Sequence, residues 1–395
     1  MAPEPWHGAD AASTPQALGP LYGYFDYAAS EPPFPEALRV QSEVGARLFG
    51  NPSSSHRRGL EARTRFEADK ERLARLLGAD LDARVVVVSG GTEANNLVID
   101  SVMESRPRAR LLLARDVHAS AWYATKRWPD RVDVVDVGED GVLDPGAVDA
   151  ALTGAHALVS VLHGNNETGV VHDVRALAAL CRRRGVALHV DGVQAVGRLP
   201  LELGALEGVF YTFSSHKFGA PRGSGGVLTG SPETLEARIR GGGQEQGLRG
   251  GTENPAAFAG AVAALERSLE LRPKREGPLR AWAARIVERV TGRFPQTAVN
   301  SPPDGLPGFV SLSVPGLNGS MAVTEMAMRG FDLSAGSACH AGSSEPSRII
   351  RAMGRDRITA LGTLRITMGY GTADEEVEEM IAALLTVIDR GLEVR

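Results

Sequence analysis

The sequence predicts an α/β protein: a mainly parallel sheet sandwiched by helices, with a smaller α+β domain attached. Three observations carry that reading. Between about Pro52 and Gly230, short apolar runs alternate with amphipathic helical stretches. The strand candidates are mostly continuous apolar runs rather than alternating ones, as befits strands covered on both faces. After about Gly260 the texture changes to a long helix ("AAFAGAVAALERSLELR"), a Pro/Gly-punctuated region and then further strand and helix signals.

Taken in order, residues 1–20 ("MAPEPWHGADAASTPQALGP") read as a flexible Pro/Ala-rich extension. They lack the charged and apolar regions of a secretory signal. "RVVVVSGG" (84–91) is a β-branched strand ending in two glycines. The helix that follows it, "TEANNLVIDSVM", is expected to take Thr92 or Ser89 near its N-cap. "HALVSVLHG" (156–164) is a second strand. "DVRALAALCRRRG" (173–185) aligns Val174, Leu177, Leu180 and Cys181 on one helical face and stops at Gly185. "VALHVDG" (186–192), "GVFYTFSSHK" (208–217) and "FVSLSV" (309–314) are further strands. "ADEEVEEMIAALLTVIDRGLEV" closes the chain as an amphipathic helix with an acidic first turn, which the helix dipole favours. These elements divide the chain into the extension (1–20), a large domain (33–265), and a small domain made from 21–32 and 266–395.

The 395 residues are 43% hydrophobic and 23% charged, and 43 basic against 48 acidic side chains leave a net charge of −5. That balance supplies no field for nucleic acid, and no run is long enough for a membrane helix. Two cysteines make no disulfide framework, which suits a reducing cytoplasm.

In sheets of this kind ligands sit beyond the carboxyl ends of the strands. Polar residues collect there: Gly90–Thr92, Gly164–Glu167, Asp191–Gln194 and Ser214–Lys217. Lys217 is either a solvated surface lysine or an amine desolvated enough to form a Schiff base. Asp191 either caps the following turn or meets a pyridinium nitrogen and keeps it protonated, with Gln194 beside the ring. "SGGTEANN" (89–96) offers small residues and a helix start to a phosphate, without the lysine of a nucleotide P-loop. His118 is either structural or stacked on a planar cofactor. Cys181 belongs to an apolar helix face and reads as structural. Cys339, within "SAGSACHAGSSEPS" (334–347), has no companion ligands for zinc and is either an ordinary loop cysteine or a nucleophile. No metal site is expected.

These pieces, in this order, resemble the cysteine desulfurases of the NifS/IscS type, members of the fold-type I pyridoxal phosphate (PLP) enzymes. The resemblance runs from about Tyr24 to the C-terminus. Besides the motifs above it includes "YFDYAAS" (24–30), "GNPSSSHRRG" (50–59), "HGNNETG" (163–169), "GGGQEQGLRGGTEN" (241–254) and "LRITMG" (364–369). It implies that Lys217 is the Schiff-base lysine, Asp191 the partner of the ring nitrogen, and His118 the stacked, proton-moving histidine. Gln194 and Asn166 fall on the phenolic-oxygen side, and Asn166 also borders the substrate. Gly91, Thr92, Ser214 and His216 match the phosphate cradle. Thr252 matches a threonine that reaches the neighbouring subunit's phosphate, which implies a homodimer with shared active sites. Arg365 matches the clamp for the substrate carboxylate, and Cys339 the persulfide-forming nucleophile. Tyr27 and Arg222 depart from the family pattern, where Asn and Lys are usual.

The activity so implied is conversion of L-cysteine to L-alanine, with the sulfur passing to Cys339 and then to an acceptor protein. The alternatives are a selenocysteine lyase, an aminotransferase, and a PLP-binding scaffold for a sulfur-acceptor partner. The small residues around Cys339 fit a loop that carries the thiol between substrate and acceptor.

Overall fold

The computed structural model describes residues 21–231, 235–336 and 345–393. Within them the strands are β1 (Arg84–Val88), β2 (Arg110–Ala114), β3 (Val132–Val135), β4 (His156–Leu162), β5 (Ala187–Asp191), β6 (Val209–Ser214), β7 (Gly225–Thr229), β8 (Ala298–Val299), β9 (Phe309–Ser313) and β10 (Thr363–Thr367). The first seven form one sheet in the order β1-β7-β6-β5-β4-β2-β3. Its strands from β6 to β3 pair in parallel. β7 runs against both of its neighbours, pairing Ser214 with Gly225 on one side and Val88 with Gly225 on the other. β1 therefore points the same way as β6, and the carboxyl ends of β1, β2, β4, β5 and β6 lie along one edge.

Burial explains the unbroken apolar strands: every residue of β4, β6 and β7 is buried. Helix Gly91–Ser105 packs across β4, β5, β6 and β7, and helix Val174–Arg184 packs on β5. Gly185 ends the latter in the left-handed region at φ 66°, as a glycine stop should. Helix Gly91–Ser105 starts differently from expectation. Its N-cap is Gly90, and no side chain caps it. Thr92 lies inside the helix, and the Ser89 N–H donates instead to Glu93 Oε2 at 2.8 Å.

One apolar core is built from residues between Phe34 and Leu265. A second takes Phe25 together with residues between Leu279 and Ile388, around the antiparallel sheet β10-β9-β8. Phe25 reaches it because the backbone beside it bridges Tyr24 to Asp332 and Asp26 to Thr367. A single helix, Pro255–Arg293, runs from one core to the other. The stretch after Arg272, read from sequence as punctuated, continues that helix through Pro273 and Pro278. Both prolines are exposed, so their rings meet solvent. Each removes a backbone hydrogen bond that the buried turns on either side outweigh.

Candidate active site

The converging strand ends border a cavity of about 290 Å³. Gly91, Thr92, His118, Asn166, Asp191, Gln194, Ser214, His216, Lys217 and Arg365 all line it, with Ala28, Ala29 and Asn95 among others. Residues from five strand ends, the N-terminal segment and β10 thus meet in one place.

One end of the cavity is suited to an anion. The first turn of helix Gly91–Ser105 carries N–H groups without intrahelical partners and the positive end of the dipole. A Cβ on Gly91 would come within 2.8 Å of Val193 Cγ2 and 3.6 Å of Ser214 Cβ, so a glycine keeps this cradle open. His216 stands beside it, its ring nitrogen Nδ1 3.2 Å from Ser30 Oγ. Burial, helped by Lys217, Arg222 and Arg198, pushes its pKa down to about 4, so the ring is neutral at physiological pH.

Asp191, the last residue of β5, is 4% exposed. Its Oδ2 accepts from Asn95 Nδ2 at 2.7 Å and its Oδ1 from the Val193 N–H at 3.1 Å. It therefore caps its turn and also presents a carboxylate to the cavity; the two sequence readings coexist. Gln194 Oε1 accepts from Arg198 Nη1 at 2.9 Å, and its Nε2 donates to Ala28 O at 2.9 Å. The amide is thereby oriented with its N–H₂ end on the side of the Ala28 segment. Lys217 Nζ donates to Ala28 O at 2.6 Å and Ala29 O at 2.9 Å. Arg365 is 2% exposed, with Nη1 donating to Asn166 O at 2.8 Å and Nη2 to Asp26 Oδ1 at 2.6 Å. Among the described residues, Arg365 Nε and Asn166 Oδ1 are buried without a partner. Both residues line the cavity, so the fold leaves two buried polar atoms unmatched at its wall.

The donor set fits pyridoxal phosphate. There is an anion cradle, a buried carboxylate for a ring nitrogen, an amine for the aldehyde, and an arginine for a substrate carboxylate. Among the described residues no group of His, Cys, Asp and Glu side chains is arranged to hold a metal. Thr252 does not line this cavity; it borders a neighbouring one of about 230 Å³ with Ser89, Glu245 and Arg249. Cys339 lies outside the described residues. The chain on either side of its segment is anchored at the site. Ser334 exchanges backbone hydrogen bonds with Arg365, and Ser347 Oγ donates to Glu167 Oε2 at 2.5 Å.

The sequence reading gave no role to Asn95, Asp26 or Ser120. Asn95 had a signal: it stands four residues after Gly91, and so on the same helical face as the cradle. Asp26 had none, because its partner Arg365 is 339 residues away.

Residues 23–380 match the aminotransferase class-V family. A cysteine desulfurase of Cereibacter sphaeroides is 33% identical over 373 residues, covering 93% of this chain and 96% of that relative. An IscS-like cysteine desulfurase of Mycobacterium tuberculosis is 31% identical over 380 residues, with 93% and 96% covered. Among solved structures, a NifS-like protein superposes with a TM-score of 0.84 at 26% identity, covering 93% of this chain and 99% of its own.

Proposed function

Because this chain belongs to the aminotransferase class-V family and, within it, to the NifS/IscS-type cysteine desulfurases, we propose that its cavity takes pyridoxal 5'-phosphate and L-cysteine together. The observation that carries the proposal is the meeting of Lys217, Asp191 and Arg365, from three separate parts of the chain, in one cavity of about 290 Å³. Lys217 would hold the cofactor covalently, Asp191 its ring nitrogen, Gln194 and Asn166 its phenolic side, and His118 its face. Gly91, Thr92, Ser214 and His216 would hold its phosphate. Bound there, the cofactor supplies an electron-withdrawing ring that stabilises negative charge at the substrate Cα.

The protein's own groups do the rest. Arg365, which lines the cavity, receives the carboxylate of L-cysteine; its planar fork suits that task. Lys217 Nζ, freed once the amine of L-cysteine has taken its place, removes the Cα proton. The Cys339 thiolate attacks the substrate sulfur, the C–S bond breaks, and its electron pair stays with the carbon skeleton, which takes up a proton and leaves as L-alanine. Cys339 then carries the sulfur as a persulfide for an acceptor protein. Thr252 lies in the cavity next door, which supports a homodimer in which it serves the phosphate of the second copy. Among the described residues no helix is long and apolar enough to cross a membrane, and the two cysteines support a cytoplasmic enzyme.

Two variants test the reading. Lys217→Ala is expected to lose the visible absorbance of lysine-bound cofactor, and alanine formation with it. Cys339→Ser is expected to keep that absorbance and lose alanine formation and the persulfide. Wild-type alanine production by Cys339→Ser refutes the sulfur-transfer step, and an unchanged spectrum in Lys217→Ala refutes the lysine assignment.

A further inference from the structure

We propose that Asn95 is a positioning residue of this reaction: its amide donates directly to Asp191 and, through the Ser120 hydroxyl, supports His118, so that both groups are held in one orientation toward the cavity. The inference rests on pyridoxal phosphate occupying that cavity.

The hydrogen bonds leave one orientation for the amide. Asn95 Nδ2 donates to Asp191 Oδ2 at 2.7 Å and to Ser120 Oγ at 2.9 Å. Its Oδ1 accepts from Thr212 Oγ1 at 2.7 Å and pairs with His189 Nε2 at 3.1 Å. A carboxylate only accepts, so the amide nitrogen must face Asp191. The carbonyl then faces His189, whose Nε2 must carry the proton, while its Nδ1 accepts from Ser160 Oγ at 2.8 Å. Burial pushes the His189 pKa down to about 4, in keeping with a neutral ring holding one proton. The amide is thus braced from behind by β4, β5 and β6.

A second set of hydrogen bonds runs from Asn95 through Ser120 to His118. The Ser120 N–H donates to His118 Nδ1 at 3.2 Å, so that nitrogen is an acceptor. Ser120 Oγ receives the second Asn95 proton and donates its own to His118 Nδ1 at 2.8 Å. The His118 ring proton is left on Nε2. One buried amide, 1% exposed, therefore donates to Asp191 and turns the Ser120 hydroxyl toward His118, where it joins the Ser120 N–H in holding Nδ1 as an acceptor. Asp191 and His118 are the two groups assigned to the ring nitrogen and the ring face of the cofactor.

The titratable groups around Asn95 are Asp191 and His189 of β5, His118 after β2, and His216 and Lys217 after β6, which share its cavity. On its own helix Glu93 is engaged by Ser89 and Arg249. Tyr211 of β6 is engaged by His163.

The test uses the holoenzyme carrying Asn95→Asp. This change keeps size and both acceptor contacts but replaces the two donors by a carboxylate facing Asp191. Losing a hydrogen bond to a charged group predicts a fall in kcat of about 10- to 100-fold at pH 8, with a smaller change in KM. The pH titration of the visible cofactor band is expected to move. Activity should partly return as the pH is lowered, because a protonated carboxyl regains a donor. Asn95→Ala, with no titratable group, should show the displaced titration and no low-pH recovery. It also serves where Asn95→Asp does not fold. Variants whose cofactor-band titration and kcat match the wild type overturn the inference while leaving the cofactor reading intact. A wild-type protein that forms no cofactor band overturns both.

Discussion

Alkylation of the native protein with iodoacetamide at pH 8 separates the two cysteines by the chemistry of their surroundings. Cys181 is 2% exposed on helix Val174–Arg184, and burial pushes its pKa up to about 12. It also borders a cleft of about 310 Å³, so restricted access by itself does not guarantee protection. Ionisation does more. At pH 8 about one Cys181 in ten thousand is thiolate, against about one in four for an ordinary thiol of pKa ~8.5. That is a deficit of roughly 2,000-fold. The more basic thiolate is intrinsically the better nucleophile, which with a Brønsted slope of about 0.45 returns roughly 40-fold. Cys181 should therefore react about 50-fold more slowly than an ordinary thiol, before any steric hindrance is counted. Peptide mass spectrometry after quenching should find Cys339 fully labelled while Cys181 is below about 10%. After preincubation with L-cysteine, the mass of one extra sulfur should appear on the Cys339 peptide and not on the Cys181 peptide. Labelling of both cysteines at similar rates in folded protein refutes the burial argument. Extra sulfur on Cys181 refutes the assignment of Cys339 as the carrier.

Other expectations follow from single contacts. Arg365→Lys replaces a planar fork by a point charge, and should raise KM for L-cysteine by about 10- to 100-fold with the cofactor band unchanged. Steady-state kinetics alongside an absorbance scan check this, and an unaltered KM rejects the carboxylate clamp. Gly91→Ala places a methyl 2.8 Å from Val193 Cγ2, and should weaken cofactor binding by about tenfold in equilibrium dialysis, with little change in the melting curve. Asp116 concerns pH. Burial alone would raise its pKa, but His172, Asn165 and Arg348 outweigh burial and hold it below the usual carboxylate value. A depressed folded pKa means stability that is present above the unfolded value near ~4 and lost as the pH falls through the folded one. The urea midpoint of the wild type should therefore drop as the pH is taken from 5 to 3. Asp116→Asn should be less stable at pH 6 and show a flatter dependence; a parallel drop in both proteins removes Asp116 from the account.

The parts of this protein legible in its sequence are those whose causes are local. Unbroken apolar runs declare strands buried on both faces, and every residue of β4 and β6 is buried. Gly185 stops its helix where the αL position demands it. Because ligands in such sheets lie beyond the strand ends, polar residues there could be named as site residues one by one. Asp191, Gln194 and Lys217 indeed line a common cavity.

Tertiary structure decided whatever depends on partners far along the chain. The reversal of β7, which brings β1 into register with the other site-bearing strands, comes from pairing across more than a hundred residues. Helix Pro255–Arg293 survives two prolines because buried turns in two cores hold its halves, an energy no propensity contains. Asp26 became the brace of Arg365, and Asn95 the link between Asp191 and His118, only when separate segments met. Residue types and periodicity encode what one stretch of chain wants by itself. A hydrogen-bonding amide or carboxylate has no role until the fold supplies its partner, so the polar residues at the strand ends were readable and the residues that hydrogen-bond to them were not.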